Sequence, residues 1–249
     1  MFAFIRGWTD VDRTTRANVR LGAFLAFVAG ATNAGGFLAV GQYTSHMTGL
    51  LSAAADHLVL GQYTLALAAV GAILAFVAGA MTTAILVNWA LRRRLHSAYG
   101  LPLLLESAAL LVFGVFGASI GVFAPLFVPL TVLLLCFIMG LQNAVITKVS
   151  RAEIRTTHVT GLVTDIGIEL GKLLYVNRRG DARPVLADRA RLRIHLLLVG
   201  CFLAGAVGGA LGFKHLGFVS TVPLAVCLLV LALRPLLRDL RSRHGAASG

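Results

Sequence analysis

The sequence predicts an all-α polytopic membrane protein with six transmembrane helices and two re-entrant half-helices, arranged as a 3+3 inverted repeat. Three observations lead to this fold class. The chain of 249 residues is 58% hydrophobic and only 13% charged, which lies outside the usual range of globular proteins. Apolar stretches of about 20 residues, long enough to cross a bilayer, recur along it. A pair of polar motifs also occurs twice, once in each half.

The apolar stretches predict six spans. Almost no charged residue lies inside them, and a backbone exposed to lipid must satisfy its own hydrogen bonds, so each span is expected to be a helix. The alternating polarity of outer-membrane strands is not seen. The predicted spans cover residues 21–41, 65–91, 101–123, 126–146, 193–213 and 217–237.

The chain has a net charge of +12, and the basic residues responsible for it lie between the predicted spans. Their placement predicts the membrane topology. If both termini are cytoplasmic, every basic cluster falls on the cytoplasmic side, as expected for a multi-pass protein of the bacterial inner (cytoplasmic) membrane. The expected partner of this charge is therefore the lipid bilayer and not nucleic acid. The clusters are Arg6 to Arg20, Arg92 to Arg94, Lys148 to Arg155, Arg178 to Arg193 and Arg234 to Arg243.

An internal duplication divides the single membrane domain, 1–249, into a first repeat, 1–124, and a second repeat, 125–249. The first half carries Gly-Ala-Thr-Asn-Ala at 30–34, followed by Thr-Ser-His-Met-Thr-Gly-Leu-Leu-Ser at 44–52. The second half carries Gly-Leu-Gln-Asn-Ala at 140–144, followed by Thr-Thr-His-Val-Thr-Gly-Leu-Val-Thr at 156–164. Each copy holds three spans, an odd number, so the two halves are predicted to have inverted topologies.

The segments that carry the second motif are too short to cross the bilayer. The one at 46–60 would reach about 22 Å as a helix, less than the 30 Å of the hydrocarbon core. Both segments are amphipathic, which is typical of re-entrant half-helices and of interfacial helices alike. Interfacial helices usually carry Lys and Arg on the polar face, whereas these carry hydroxyls, acids and histidine. Re-entrant half-helices are the preferred interpretation, with interfacial helices as the alternative.

The duplicated motifs supply the candidate site. Half-helix N-termini that meet near the midplane favour an anion or another hydrogen-bond acceptor, because their backbone N–H groups and positive dipole ends point at the solute. Threonine hydroxyls add ligands, glycine admits a close approach, and histidine titrates near neutral pH. Asp165 and Glu106 are acids in or near the membrane, where ionisable groups suggest function. The predicted substrate-binding residues are His46, Thr48, Gly49, His158, Thr160, Gly161, Asn33, Asn143 and Asp165.

Each of these residues also has a structural interpretation. The histidines are typical helix-capping groups at a membrane interface, and small residues are the usual choice where helices pack closely. Asn33 and Asn143 would equally satisfy backbone groups freed where each half-helix begins. Gly205 and Gly209, like Gly117 and Gly121, form small-xxx-small faces of the kind that packs helices and permits a homodimer.

The motif segments resemble the YoaK-like family of bacterial inner-membrane proteins. The matching residues are Met47–Gly49, Gly140–Ala144, Arg155–Gly161 and Thr164–Gly167, in the family's order and spacing. In one departure, Leu50 follows the first glycine, where the family often has Asn. The resemblance implies a membrane protein, but it implies no substrate, because this is a family of unknown function.

The function expected from these patterns is a channel or transporter for a small polar or anionic solute. A non-transporting membrane partner or regulator is the alternative. No hydrolase, metalloprotease or P-loop motif is present, so an enzyme is not expected. Cys136, Cys201 and Cys227 lie within spans without metal-ligand spacing, so neither a metal nor a cofactor is expected.

Overall fold

The computed structural model describes residues 14–150, 157–177 and 183–247, with side chains described as far as residue 240. The basic residues at 6, 13, 151, 155 and 178–179 and the first residue of the second motif, Thr156, lie outside these ranges. All regular elements within them are helical. They are α1 (Thr15–Val40), α2 (Met47–Val59), α3 (Tyr63–Arg92), α4 (Gly100–Ser119), α5 (Ala124–Val149), α6 (Val159–Leu174), α7 (Arg189–Leu216), a 3-10 turn (Gly217–Ser220) and α8 (Thr221–Ala247).

Five helical segments of the described chain are long and apolar enough to cross a membrane. Four of them are α1, α3, α4 and α5, with 26, 30, 20 and 26 residues. The fifth, Arg189–Leu240, has 52 residues and covers the last two predicted spans. These segments fit a multi-pass membrane protein. The motif segments form α2 and α6, which have only 13 and 16 residues.

The 52-residue segment is interrupted at Gly217. A continuous helix of that length would be about 78 Å long, more than twice the thickness of the hydrocarbon core. Gly217 has φ 60°, a left-handed value that favours glycine, and its N–H donates to Phe213 O as α7 ends. The chain then makes the 3-10 turn, and α8 packs against α4 while α7 packs against α1.

Close backbone contacts join α1 to α7 and α3 to α5. Gly30 on α1 lies against the carbonyl oxygen of Phe202 on α7, and Gly205 on α7 lies against the carbonyl oxygen of Phe27 on α1. A Cβ at either glycine would overlap that oxygen. The two helices therefore touch backbone to backbone, as small residues allow in membranes.

The same reciprocal arrangement joins α3 to α5. Gly79 lies against the carbonyl oxygen of Phe137, and Gly140 lies against that of Phe76. All four contacts use the tetrapeptide Phe-x-x-Gly, at 27–30, 76–79, 137–140 and 202–205. Gly30 and Gly140 are the first residues of the duplicated Gly-x-x-Asn-Ala motif, so the repeat-equivalent helices α1 and α5 make equivalent contacts with different partners.

Polar bonds fix α4 against α8. The Ser107 hydroxyl on α4 donates to Ala225 O at 2.7 Å. Near the other end of α8, the Asp239 carboxylate accepts the backbone N–H groups of His96 and Ser97, just before α4, at 2.8 and 2.9 Å. These bonds place the start of α4 beside the end of α8.

Candidate functional site

The segment after α1 turns back along the helix that precedes it. Helix α1 ends at Val40, and Gly41, with φ 73°, reverses the chain. The Ser45 hydroxyl then donates to the Asn33 side-chain oxygen at 3.0 Å. Asn33 lies seven residues before the end of α1, about 10 Å along the helix. Helix α2 therefore begins at the depth of Asn33 and not at the end of α1.

The second copy of the motif makes the equivalent bond. The Thr157 hydroxyl donates to the Asn143 side-chain oxygen at 2.6 Å, and Asn143 lies six residues, or about 9 Å, before the end of α5. The Asn143 amide nitrogen donates to Met139 O at 2.9 Å, which orients the side chain. The two asparagines thus each hold the residue that precedes the motif histidine.

A single cavity of about 650 Å³ touches both motif segments. Its apolar wall includes Phe37 and Leu38 on α1 and Phe202 and Val207 on α7. Its polar groups come from α1, from the chain segments just before α2 and α6, and from the first turn of α6. They are Asn33, Tyr43, Ser45, His46, Thr157 and Thr160.

The cavity contains three of the nine residues predicted for the site, namely Asn33, His46 and Thr160. Thr48, Gly49, His158, Gly161, Asn143 and Asp165 do not line it. Sequence reasoning missed Ser45 and Thr157 as site residues. Their position directly before the motif histidine in both copies was the available signal, since each was already part of the duplicated pattern.

Gly49, one of the residues predicted to bind the solute, lies against the ring of His46. A Cβ at Gly49 would overlap the His46 ring at Nδ1, so this glycine makes room for the ring over the first turn of α2. In the second copy no atom of the described residues lies within 4 Å of a Cβ built at Gly161. The duplicated glycines are therefore not equivalent, and only the first positions its histidine.

The N-termini of α2 and α6 have no side-chain cap within the described part of the chain. Neither helix has an acidic residue in its first turn. Such ends leave backbone N–H groups for water or a ligand, and they carry partial positive charge. His46, at the N-cap position of α2, and Thr160, in the first turn of α6, both border the cavity. An acceptor group is the chemistry that suits this arrangement.

Asp165 bonds to α7 instead of the cavity. Its carboxylate accepts from Arg191 at 3.0 Å and lies 3.8 Å from His195 Nε2. This ion pair links α6 to the beginning of α7. Within the described ranges no group of three or more His, Cys, Asp or Glu side chains is placed to hold a metal ion.

Glu169 links the same two helices further along α6. One oxygen accepts from Lys172 at 2.8 Å, and the other accepts the Asp188 backbone N–H at 2.7 Å. Asp188 in turn caps α7 by accepting the N–H groups of Ala190 and Arg191. The Lys172 hydrogen bond, followed by that from Asp188, holds the pKa of Glu169 below its ordinary value.

This pKa predicts that acid loosens the link between α6 and α7. A carboxyl group with a lowered pKa stabilises the folded state fully above its ordinary pKa of 4.5, and that stabilisation is lost as the pH falls through the lowered value. We expect hydrogen exchange at the Asp188 amide, corrected for intrinsic rates, to accelerate several-fold below about pH 4. Glu169→Gln should exchange faster already at pH 7 and lose this pH dependence. An unchanged acid response in the variant would assign the effect to another group.

A family model described as "Protein of unknown function (DUF1275)" matches residues 21–234. This range contains both motif segments, the residues that line the cavity and the first half of α8. Comparisons with curated proteins and with solved structures find no match.

Proposed function

The chain belongs to the DUF1275 family, and we propose that this member is a channel or transporter for a small polar or anionic solute. One observation carries the proposal. A cavity of about 650 Å³ borders the start of α2 and the start of α6, the two segments that carry the duplicated motif. Its volume lies within the range of small-molecule sites.

The proposed architecture has six spans and two re-entrant half-helices in a 3+3 inverted repeat, 1–124 and 125–249. The two asparagine bonds, Asn33 with Ser45 and Asn143 with Thr157, support re-entry because each begins its half-helix well inside the preceding span. The break at Gly217 supports counting α7 and α8 as separate spans. The reciprocal Phe-x-x-Gly contacts support a two-fold relation between the halves.

The proposed topology places both termini in the cytoplasm of a bacterial cell. Side-chain hydrogen bonds hold the ends of four helices together in two pairs. Lys148 at the end of α5 donates to Asn88 near the end of α3, and Asp239 near the end of α8 holds the residues before α4. Basic residues lie at or near these helix ends, namely Arg92 to Arg94, Lys148, Arg234 and Arg238. A shared basic side supports a cytoplasmic assignment under the positive-inside rule.

The cavity's chemistry favours a solute that carries hydrogen-bond acceptors. Ser45, Thr157 and Thr160 provide hydroxyls, and His46 provides a ring nitrogen. The positive ends of α2 and α6 attract negative charge. The surrounding apolar wall strengthens these interactions because it lowers the local dielectric constant.

Cysteine accessibility tests this proposal. In a background without Cys136, Cys201 and Cys227, single cysteines replace Tyr43 and Thr160, which line the cavity but take no part in the asparagine bonds. We expect both to react with a small hydrophilic thiosulfonate reagent, and a small anion from a panel of formate, acetate and nitrate to slow both reactions. The same anion should equilibrate across proteoliposomes that contain the unmodified protein.

Two controls establish the sides of the membrane. Asp56→Cys, near the end of α2, should react only from outside, and Lys172→Cys, near the end of α6, should react only from the cytoplasm. Thr131→Cys, at a fully buried position, should not react. If the cavity cysteines are as unreactive as the Thr131 control, the cavity is dry. The alternative, a non-transporting membrane partner, would then be preferred.

A further inference from the structure

Glu106 is a carboxyl group in the interior of the helical bundle. It is the seventh residue of α4, about 9 Å from the start of that helix. Its exposed fraction is 0%. Leu103 and Leu110, three residues before and four after it, lie on the same face of α4 and are also completely buried. The carboxyl group is thus surrounded by the apolar core.

Neither oxygen of Glu106 has a hydrogen-bond partner among the residues that the structure describes. This distinguishes Glu106 from Glu169, which is also largely hidden from solvent but bonds Lys172 and the Asp188 backbone. Buried carboxylates normally have such partners, because an unpaired charge in an apolar interior is very costly.

Among the side chains that the structure describes, no ionisable group on the helices packed against α4 pairs with this carboxyl group. Lys148 on α5 bonds Asn88 instead, and Asp239 on α8 bonds the backbone before α4. None of the described ionisable residues on these helices forms an ion pair with Glu106. They are Tyr63 and Arg92 on α3, Cys136 and Lys148 on α5, and Cys227, Arg234, Arg238 and Asp239 on α8.

We propose that Glu106 is a proton-binding site that holds its proton at neutral pH. A protonated carboxyl group is uncharged, so it can lie in this environment where a carboxylate cannot. Release of the proton leaves an unpaired anion, so it requires water or a cation to reach the oxygens. Proton release is therefore tied to a separation of α4 from α5 or α8. This inference does not depend on the proposed solute pathway.

Infrared spectroscopy of the purified protein in lipid tests the protonation state directly. At pH 7 the wild-type spectrum should contain the carbonyl stretch of a protonated carboxyl group, and Glu106→Gln should lose that band. Glu169→Gln is the matched control and should keep it. If the band is absent from the wild type, or survives in Glu106→Gln, the proposal is wrong. A carboxylate band at position 106 that shifts with Na⁺ would likewise overturn it in favour of a cation site.

Carbodiimide labelling provides a second, independent measurement. The acid adds across a C=N bond of the reagent, with its proton going to nitrogen, and the O-acylisourea that forms rearranges to a stable N-acylurea. We expect apolar dicyclohexylcarbodiimide to modify Glu106 at pH 7 and a charged, water-soluble carbodiimide to leave it unmodified. The exposed Asp56 should show the reverse preference. Failure of the apolar reagent to modify Glu106 in a protein whose Asp56 reacts normally would contradict the proposal.

Glu106→Gln should fold normally, because glutamine has nearly the shape and the zero charge of the protonated acid. A Glu106→Gln variant that fails to fold would indicate a charged, paired glutamate and would count against the proposal. The wild-type infrared band does not depend on that variant.

Discussion

Gly140→Ala is expected to destabilise the protein by about 1–3 kcal/mol, the usual range for an overpacked interior. The added methyl group overlaps the Phe76 carbonyl oxygen, which is backbone and cannot rotate away. Helices α3 and α5 must separate to admit it, and they lose close contacts along their length. Thermal unfolding in detergent should show a decrease of roughly 2–12 °C in Tm.

The matched control is Gly71→Ala, on α3. Its nearest neighbour would be a Leu133 methyl group at 3.7 Å, an ordinary van der Waals contact. Alanine is also the better helix former, so Gly71→Ala should leave Tm unchanged or raise it slightly. Gly30→Ala, at the equivalent position on α1, should resemble Gly140→Ala. Equal Tm values for Gly140→Ala and Gly71→Ala would show that the backbone contact does not limit packing.

Asn143→Leu is expected to release the start of α6 and abolish solute protection of the cavity. The substitution removes the acceptor of the 2.6 Å bond from Thr157 and leaves that hydroxyl unpaired. The lost bond is worth about 1 kcal/mol. Because Thr157 and Thr160 both border the cavity, its polar side should become disordered. The reactivity of a cysteine at position 160 should rise about tenfold, which corresponds to 1.4 kcal/mol.

Two further variants separate this bond from a general loss of stability. Thr157→Ser keeps the hydroxyl donor and should behave like the wild type, whereas Thr157→Val should resemble Asn143→Leu. The double variant should cost no more than either single one, because both remove the same interaction. Asn88→Leu, which removes the exposed bond to Lys148, should leave the cysteine at 160 unaffected. Additive effects at 143 and 157 would mean that the two residues act separately.

The site was only partly predictable from the sequence. Duplication identified the motif segments, and their length correctly predicted two short helices. The duplication did not identify which residues of the two motifs line the same cavity. Asn33, His46 and Thr160 share the cavity, while Thr48 and Gly161 do not line it, because the direction of a side chain depends on how its helix is rotated against its neighbours. Asp165 was expected at the solute site, but its partner, Arg191, is 26 residues away in the chain.

The contacts of the paired glycines were likewise only partly predictable from the sequence. The Gly205-x-x-x-Gly209 face was predicted as a packing surface that permits a homodimer. In the structure it packs within the chain, because Gly205 lies against Phe27 and Gly209 against Ala31, both on α1. The similar pair at 117 and 121 differs, since Gly117 contacts the Phe218 ring and nothing lies near Gly121. Spacing alone could not distinguish these cases.

The sequence by itself determined the helical class, the presence of several apolar helices of membrane-crossing length, the two short motif helices and the family. Those properties follow from local composition and from repeated residues, which do not depend on neighbours in space. Only the tertiary structure decided the pairing of α1 with α7 and of α3 with α5, the asparagine bonds just before α2 and α6, and the isolation of Glu106. These depend on contacts between residues far apart in the chain, where backbone fit and the lack of a polar partner have no local signature.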